Sequence, residues 1–264
     1  MGRSLITFTS DFGTRDQYVG AVKGVLLSTH PEAEVIDLSH EIPSHDILAG
    51  AFTVVGSCPE FPSGTVHLVV VDPGVGSGRR AIVASTERHL YVAPDNGVLS
   101  LLMERESVSR VVAVEAEHYY RRPVSSTFHA RDIFAPVAAY LSKGVDILKF
   151  GPEISDYKRL VLPSQKRLED GSTEGFILHI DKFGNATTSF TPDDLEKAGS
   201  DSPRASFRIG EKLVEDRVES YAEGADRDVF FLTGSSGYLE IASFKQSAAR
   251  ALNLRRGMKI QLLS

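Results

Sequence analysis

Acid, guanidinium and imidazole side chains fall at three places in this chain where they could act on one ligand. The first is the run Val66-His67-Leu68-Val69-Val70-Val71-Asp72-Pro73-Gly74-Val75-Gly76-Ser77-Gly78-Arg79-Arg80, an apolar strand that stops at an acid and a glycine-rich turn. In open α/β sheets the crevice beyond the carboxyl ends of the strands holds ligands, and Gly74, Gly76 and Gly78 would let a bound molecule approach the backbone. The second is Ser10-Asp11-Phe12-Gly13-Thr14-Arg15-Asp16, after the apolar Leu5 to Phe8. Asp11 at a strand end could accept both hydroxyls of a ribose. Asp16 taken alone reads as the N-cap of the next helix. The third is Thr127-Phe128-His129-Ala130-Arg131-Asp132, which opens a helix-like run and could bring an imidazole to the same rim. Acid, guanidinium and imidazole side chains at one crevice suggest chemistry.

Each group also has a plainer reading. Asp72 and Arg79 could be an ion pair stiffening a turn, although such a pair does not need three glycines. His129 fits a satisfied core histidine as well as a catalytic base, and Arg131-Asp132 fits a pair at a helix start. The Pro94-Asp95-Asn96-Gly97 turn is the least specific, because these residues fill turns for local reasons. Asp11, Asp72, Asp95 and His129 could line a metal site, but no metal-ligand spacing is present and Arg79 would compete for the carboxylates. Neither a dinucleotide-binding glycine fingerprint nor a phosphate-binding loop ending in Lys-Ser/Thr occurs.

The elements that would carry these residues divide the chain in two. From Leu5 to Leu141 apolar runs of strand and helix period alternate: strands at Glu34 to Leu38, Val66 to Val71 and Val111 to Val114, helices at Tyr18 to Leu26, Ile47 to Val55, Val98 to Met103 and Ile133 to Leu141, and a hairpin from Ala81 to Val92. This pattern predicts an α/β fold with a mostly parallel sheet over residues 1–161. Residues 162–173 are polar, contain Pro and Gly and lack periodicity, as a linker does. Residues 174–264 read as strands, at Gly175 to Ile180, Ala205 to Ile209, Asp228 to Leu232, Tyr238 to Ala242 and Lys259 to Leu263, which fits a smaller antiparallel β-barrel or sandwich domain. Its turns Asp181-Lys182-Phe183-Gly184-Asn185 and Gly234-Ser235-Ser236-Gly237 could meet a ligand.

Composition narrows the classes. The 264 residues carry a formal net charge of −6, so nucleic acid and anionic membranes are poor partners. No run of 18 apolar residues and no signal-like N-terminus is present, and we expect a cytoplasmic protein. The single cysteine, Cys58, excludes an intrachain disulfide and fits a buried thiol.

Six motifs in order, Ser10-Asp11-Phe12-Gly13, Val71-Asp72-Pro73-Gly74-Val75-Gly76 with Arg79-Arg80, Ala93-Pro94-Asp95-Asn96-Gly97, Thr127-Phe128-His129-Ala130-Arg131-Asp132, Asp181-Lys182-Phe183-Gly184-Asn185 and Ser236-Gly237-Tyr238-Leu239-Glu240-Ile241-Ala242, together resemble the S-adenosylmethionine (SAM) hydrolase family. These proteins are also called SAM hydroxide adenosyltransferases and are relatives of the fluorinase and chlorinase. The resemblance implies an α/β domain joined to a β-barrel, a homotrimer binding SAM between subunits, and hydrolysis of SAM to adenosine and L-methionine with no metal or other cofactor. It assigns Asp72, Arg79 and His129 to water activation, Asp11 to the ribose hydroxyls, Asp16 to a further contact, and Asp181, Phe183, Asn185, Ser235 and Ser236 to adenine or the methionine end. The family's usual Phe-His-Gly-Arg-Asp reads Phe-His-Ala here, with one extra methyl at Ala130. Two other roles fit the same residues, a SAM- or adenosine-binding sensor and a 5′-halogenase. The second would be expected to lack the acid and histidine and to carry a longer loop after the glycine turn.

Overall fold

The computed structural model describes residues 4–197 and 205–263. They form two compact units, Met1–Leu160 and Val161–Ser264.

In the first unit β1 (Leu5–Ser10), β2 (Glu34–Ser39), β3 (Val66–Val70), β4 (Ala81–Thr86), β5 (Leu90–Pro94) and β6 (Val108–Ala113) make one sheet in the order β2-β1-β3-β5-β4-β6. β1 runs parallel to β2 and β3, and β3 to β5. The hairpin partner β4 is antiparallel to β5 and β6. Helices α1 (Tyr18–Thr29), α2 (Ile47–Ser57), α3 (Ser100–Arg105) and α4 (Ala135–Ser142) cover both faces. Val19, Val22 and Leu26 of α1 and Ala138 of α4 pack with Leu68 and Val70, whereas Val54 of α2 and Leu102 of α3 pack with Val69 and Val71. Successive side chains of β3 therefore enter opposite cores, which is why its sequence is continuously apolar instead of alternating. β2 and β3 lie on either side of β1, so the sheet switches direction between β1 and β3, and ligand crevices form at such points. Ser10 is opposite Val70, which brings Asp11 and Asp72 to one edge.

Two local expectations need correction. Asp16 does not cap α1: its N-cap position is Gln17, which makes no capping bond, and Asp16 is exposed. Phe134 ends a five-residue π-turn, Ala130–Phe134, that separates His129 from α4, so the helix read from Ile133 starts two residues later. Cys58, buried just after α2, has its thiol pushed up to about 12 by burial with Glu106 nearby, which keeps it protonated and inert.

His67 gives this unit an acid sensitivity. It is fully buried on β3, bonded through Nδ1 to Thr7 Oγ1 at 2.7 Å, with its ring 4.9 Å from those of His89 and Tyr91. Burial, aided by His89, pushes its pKa down to about 3. The unfolded chain takes up this proton near the ordinary value of about 6.5, so the folded state binds fewer protons and loses stability as pH falls through that window. Melting temperatures are expected to drop between about pH 7 and pH 4, and less steeply in His67→Gln. Equal slopes for both proteins would place the sensitivity elsewhere.

The second unit is antiparallel. β7 (Lys166–Arg167), β8 (Thr173–Ile180), β9 (Ala186–Thr188), β10 (Ser206–Ile209), β11 (Lys212–Val214), β12 (Phe230–Thr233), β13 (Leu239–Ala242) and β14 (Lys259–Leu263) join in the order β11-β10-β14-β8-β9-β13-β12, with β7 on β8. They curl into a nearly closed barrel around Phe190, Phe207 and Phe231, with short helices α5 (Pro192–Lys197) and α6 (Ala248–Ala251). The segment 162–173, read as a linker, carries β7, which pairs with Thr173 and Glu174. Among the described residues no helix is long and apolar enough to cross a membrane.

Candidate active site

Asp72 follows β3 directly, and the glycine turn folds Arg79 back onto it. Arg79 Nε donates to Asp72 Oδ1 and Oδ2 at 2.9 and 3.0 Å, and its terminal NH2 donates to Oδ2. Both side chains are only 5% exposed. The same NH2 reaches His129 Nδ1 at 3.0 Å, and the guanidinium lies over Phe134, 5.0 Å from the ring centroid. A guanidinium only donates. Nδ1 is therefore the acceptor, and the neutral imidazole carries its proton on Nε2. Burial lowers the His129 pKa and the Arg79 charge adds to the effect, against weaker opposite pulls from Asp72 and Asp132. His129 is neutral at neutral pH.

Within the glycine turn, Gly76 serves this arrangement by packing against protein. A Cβ on Gly76 would lie 2.3 Å from the Ser126 carbonyl oxygen, and Gly76 has φ +76. Its missing side chain thus admits the loop that carries His129, a protein contact that the sequence did not indicate. That loop is anchored from below by Asp132, which is fully buried and accepts bonds from Ser125 N–H, Arg121 and, on its two oxygens, the Nε and one terminal NH2 of Arg131. Burial works to raise the Asp132 pKa, but the bonds from Arg131 and Ser125 hold it below the usual carboxylate range.

Above the Asp72–Arg79–His129 chain is a cleft of about 190 Å³ lined by Phe12, Tyr18, Val70, Asp72, Val75, Thr127, Phe128, His129 and Ala130. Phe12, Tyr18 and Phe128 contact one another edge-on or tilted, with centroids 5.3 to 6.2 Å apart. Sequence reasoning passed over these rings, although Phe12 and Phe128 stand inside two of the motifs. The extra methyl of Ala130 is part of this wall. Asp11 shares the strand-end edge, where its Oδ2 accepts the His45 N–H at 2.8 Å from a residue at φ +68. It does not line the cleft, and neither does Asp16.

In the second unit Asp181, Phe183 and Asn185 border a groove of about 990 Å³ together with Tyr221, Phe244, Lys245, Ser247 and Arg250. Asp181 also organises its own turn, accepting the Phe183 and Asn185 N–H groups and Asn185 Nδ2. Phe183 is left 74% exposed. A Cβ on Gly184 would lie 2.0 Å from Ser247 Oγ, so this glycine lets the turn rest on the start of α6. Ser235 and Ser236 fall in the β12–β13 turn and do not line the groove. Tyr221, Phe244 and Lys245 had no motif to mark them.

Residues 6–151 match the family model of the SAM hydroxide adenosyltransferase N-terminal domain, and residues 175–261 that of the C-terminal domain. The chain belongs to the SAM hydroxide adenosyltransferase family. Within the family, it is 36% identical to a Thermus thermophilus protein named (R)-S-adenosyl-L-methionine hydrolase, over 98% of this chain and 99% of the relative. The crystal structure of a conserved protein from Thermotoga maritima superimposes with a TM-score of 0.90 at 32% identity, covering 98% of this chain and all of that one. A fluorinase from Actinoplanes sp. is more distant, at 28% identity over 98% of this chain and 97% of its own. That pairing extends over 294 positions against 264 residues here, so this chain lacks segments the fluorinase carries. Its β4–β5 turn is short, closed by the Thr86 N–H donating to His89 O.

Proposed function

We propose that this protein hydrolyses (R)-S-adenosyl-L-methionine to adenosine and L-methionine, with water attacking C5′. The observation that carries the reading is the unbroken Asp72–Arg79–His129 bond chain opening on an aromatic cleft in a member of this family. The sulfonium leaves C5′ as a neutral thioether, so the reaction needs no acid at the leaving group and all assistance goes to the nucleophile. Arg79 spends its Nε and one NH2 on Asp72 and His129, and it acts by fixing both. With Nδ1 occupied, His129 presents Nε2–H, a donor able to hold the water oxygen but unable to take its proton. Asp72 accepts three bonds from Arg79 and, with about four lone-pair sites on a carboxylate, keeps capacity for one more. It receives the proton as the C–O bond forms and the attacking oxygen becomes acidic. The sulfonium suits the rings of Phe12, Tyr18 and Phe128, whose electron-rich faces attract cations.

Asp11 takes the ribose hydroxyls and Asp16 a further contact. Asp181, Phe183, Asn185, Ser235 and Ser236 serve adenine or the methionine end. Pockets for small molecules commonly run to about 300–1,000 Å³. The cleft at Asp72, at about 190 Å³, needs a second surface to enclose SAM. In the homotrimer we propose, the Phe183 groove of a neighbouring copy supplies it. The protein works in the cytoplasm, without metal or cofactor and without nucleic-acid or membrane partners.

Protein treated with chelator and incubated with SAM is expected to release adenosine and methionine in equal amounts, and adenosine alone as nucleoside product when chloride or fluoride is added. Binding without turnover would favour a sensor. Activity lost to chelator and restored by a divalent ion would favour a metal hydrolase, and a 5′-halogenated nucleoside as main product a halogenase. Asp72 beside the attacking position disfavours that last outcome, because it would place like charges together.

A further inference from the structure

The turn Pro94-Asp95-Asn96-Gly97 does not line the cleft, yet it is bonded to the chain on both sides of the Asp72–Arg79 pair. β3 and β5 run parallel with Leu68 opposite Val92, and the Leu90 N–H donates to Thr65 O at 3.1 Å. Even-numbered residues of β5 therefore face β3. The next is Pro94, which has no N–H to give. Beyond it the chain turns away, with the Asn96 N–H donating back to Pro94 O at 2.9 Å. The stagger that pairs residue 90 with 65 would pair residue 96 with Val71, whose carbonyl has lost that backbone donor. Asn96 supplies one from its side chain: Nδ2 donates to Val71 O at 2.8 Å. That carbonyl belongs to the peptide plane that ends at the Asp72 nitrogen.

Asp95 grips the other arm. Its N–H donates to Arg80 O at 2.9 Å, and its carboxylate, on a residue only 2% exposed, accepts Arg80 Nε at 2.9 Å and the Lys158 N–H at 2.7 Å. Arg80 is thus held by backbone and side chain immediately after Arg79. Asn96 Oδ1 accepts the Val98 N–H at 3.1 Å within the turn, but a turn that only reversed the chain would need neither the Nδ2 bond to Val71 O nor the buried acid.

We propose that Asn96 and Asp95 are positioning residues for SAM hydrolysis, Asn96 fixing the peptide that carries Asp72 and Asp95 fixing, through Arg80, the strand start that carries Arg79. The proposal rests on the reading of Asp72, Arg79 and His129 as the hydrolytic set. Misplacing a reacting group by about 1 Å can cost roughly 10²-fold in rate, so Asn96→Ala is expected to lower kcat by about ten- to a hundredfold. KM for SAM should stay within about threefold, as for an interaction expressed in the transition state. In an Asp72→Asn background the Asn96→Ala factor is expected to vanish, because Asn96 acts through Asp72. Adenosine release measured on the four proteins of this cycle, each shown folded by its melting curve at the assay temperature, tests it. Should Asn96→Ala not fold, Asn96→Ser, whose hydroxyl can still accept the Val98 N–H within the turn but is one bond shorter than the amide that reaches Val71 O, takes its place with the same expectation. An unchanged kcat in a folded variant, or the same factor in both backgrounds, overturns the proposal. A wild-type protein that releases no adenosine would instead overturn the hydrolase reading on which it rests.

Discussion

Asp72→Asn is expected to reduce the kcat for SAM hydrolysis by roughly 10²- to 10⁴-fold, the usual worth of a positioned acid–base group, with a much smaller change in SAM affinity. The substitution keeps the shape and one acceptor oxygen but turns an amide N–H toward Arg79, which has only donors to offer. The guanidinium then has one fewer acceptor, its NH2 is released from the geometry that reaches His129 Nδ1, and no carboxylate remains to receive the proton of the attacking water. Single-turnover adenosine formation and calorimetric SAM binding separate the two effects. A variant with full turnover would remove Asp72 from the chemistry. Acidification acts on the same chain at the other end. Protonated His129 would oppose an N–H to the Arg79 NH2, so kcat is expected to fall as pH drops through the lowered pKa of this residue.

The largest effect on folding is expected at Asp132. Replacement by Ala removes a fully buried carboxylate and leaves the Ser125 N–H and the facing groups of Arg121 and Arg131 without it. Breaking a buried ion pair by deleting one partner costs about 3–5 kcal/mol. Arg121 and Arg131 are 46% and 28% exposed and can rehydrate, which favours the lower end, about 3 kcal/mol. Urea unfolding should show this as a lower midpoint with an unchanged slope. Turnover should fall as well, because the loop that Asp132 ties down presents His129. A midpoint equal to wild type would mean that the arginines, and not the acid, organise the loop.

What the sequence disclosed and what it hid follow from the range of the interactions. The apolar run through Val71 and the acid after it are local facts, and they placed Asp72 at a strand end without any knowledge of partners. Asp11 was legible for the same reason. The glycine turn was located correctly, but the packing role of Gly76 was hidden, because nothing nearby in the chain indicates that Ser126, fifty residues on, fills the space there. Asn96 looked like ordinary turn chemistry because its partner, Val71 O, is 25 residues away. Asp16 was taken for a cap from residue type alone, and the helix begins after Gln17 instead. In the second unit the short β9 and β11 carry too few residues for a period to show, and the groove residues after Ser243 are brought to Phe183 by barrel closure, which no local pattern records. Ser235 and Ser236 were chosen by motif position and stand apart from that groove.

In the proposed hydrolysis the oxygen of water displaces methionine at C5′. Incubating the protein with SAM in ¹⁸O-labelled water and analysing the products by mass spectrometry tests it most directly. One solvent-derived oxygen in adenosine and unlabelled methionine are expected; unlabelled adenosine, or cleavage to methylthioadenosine with label in the amino-acid fragment, would rule out attack of water at C5′.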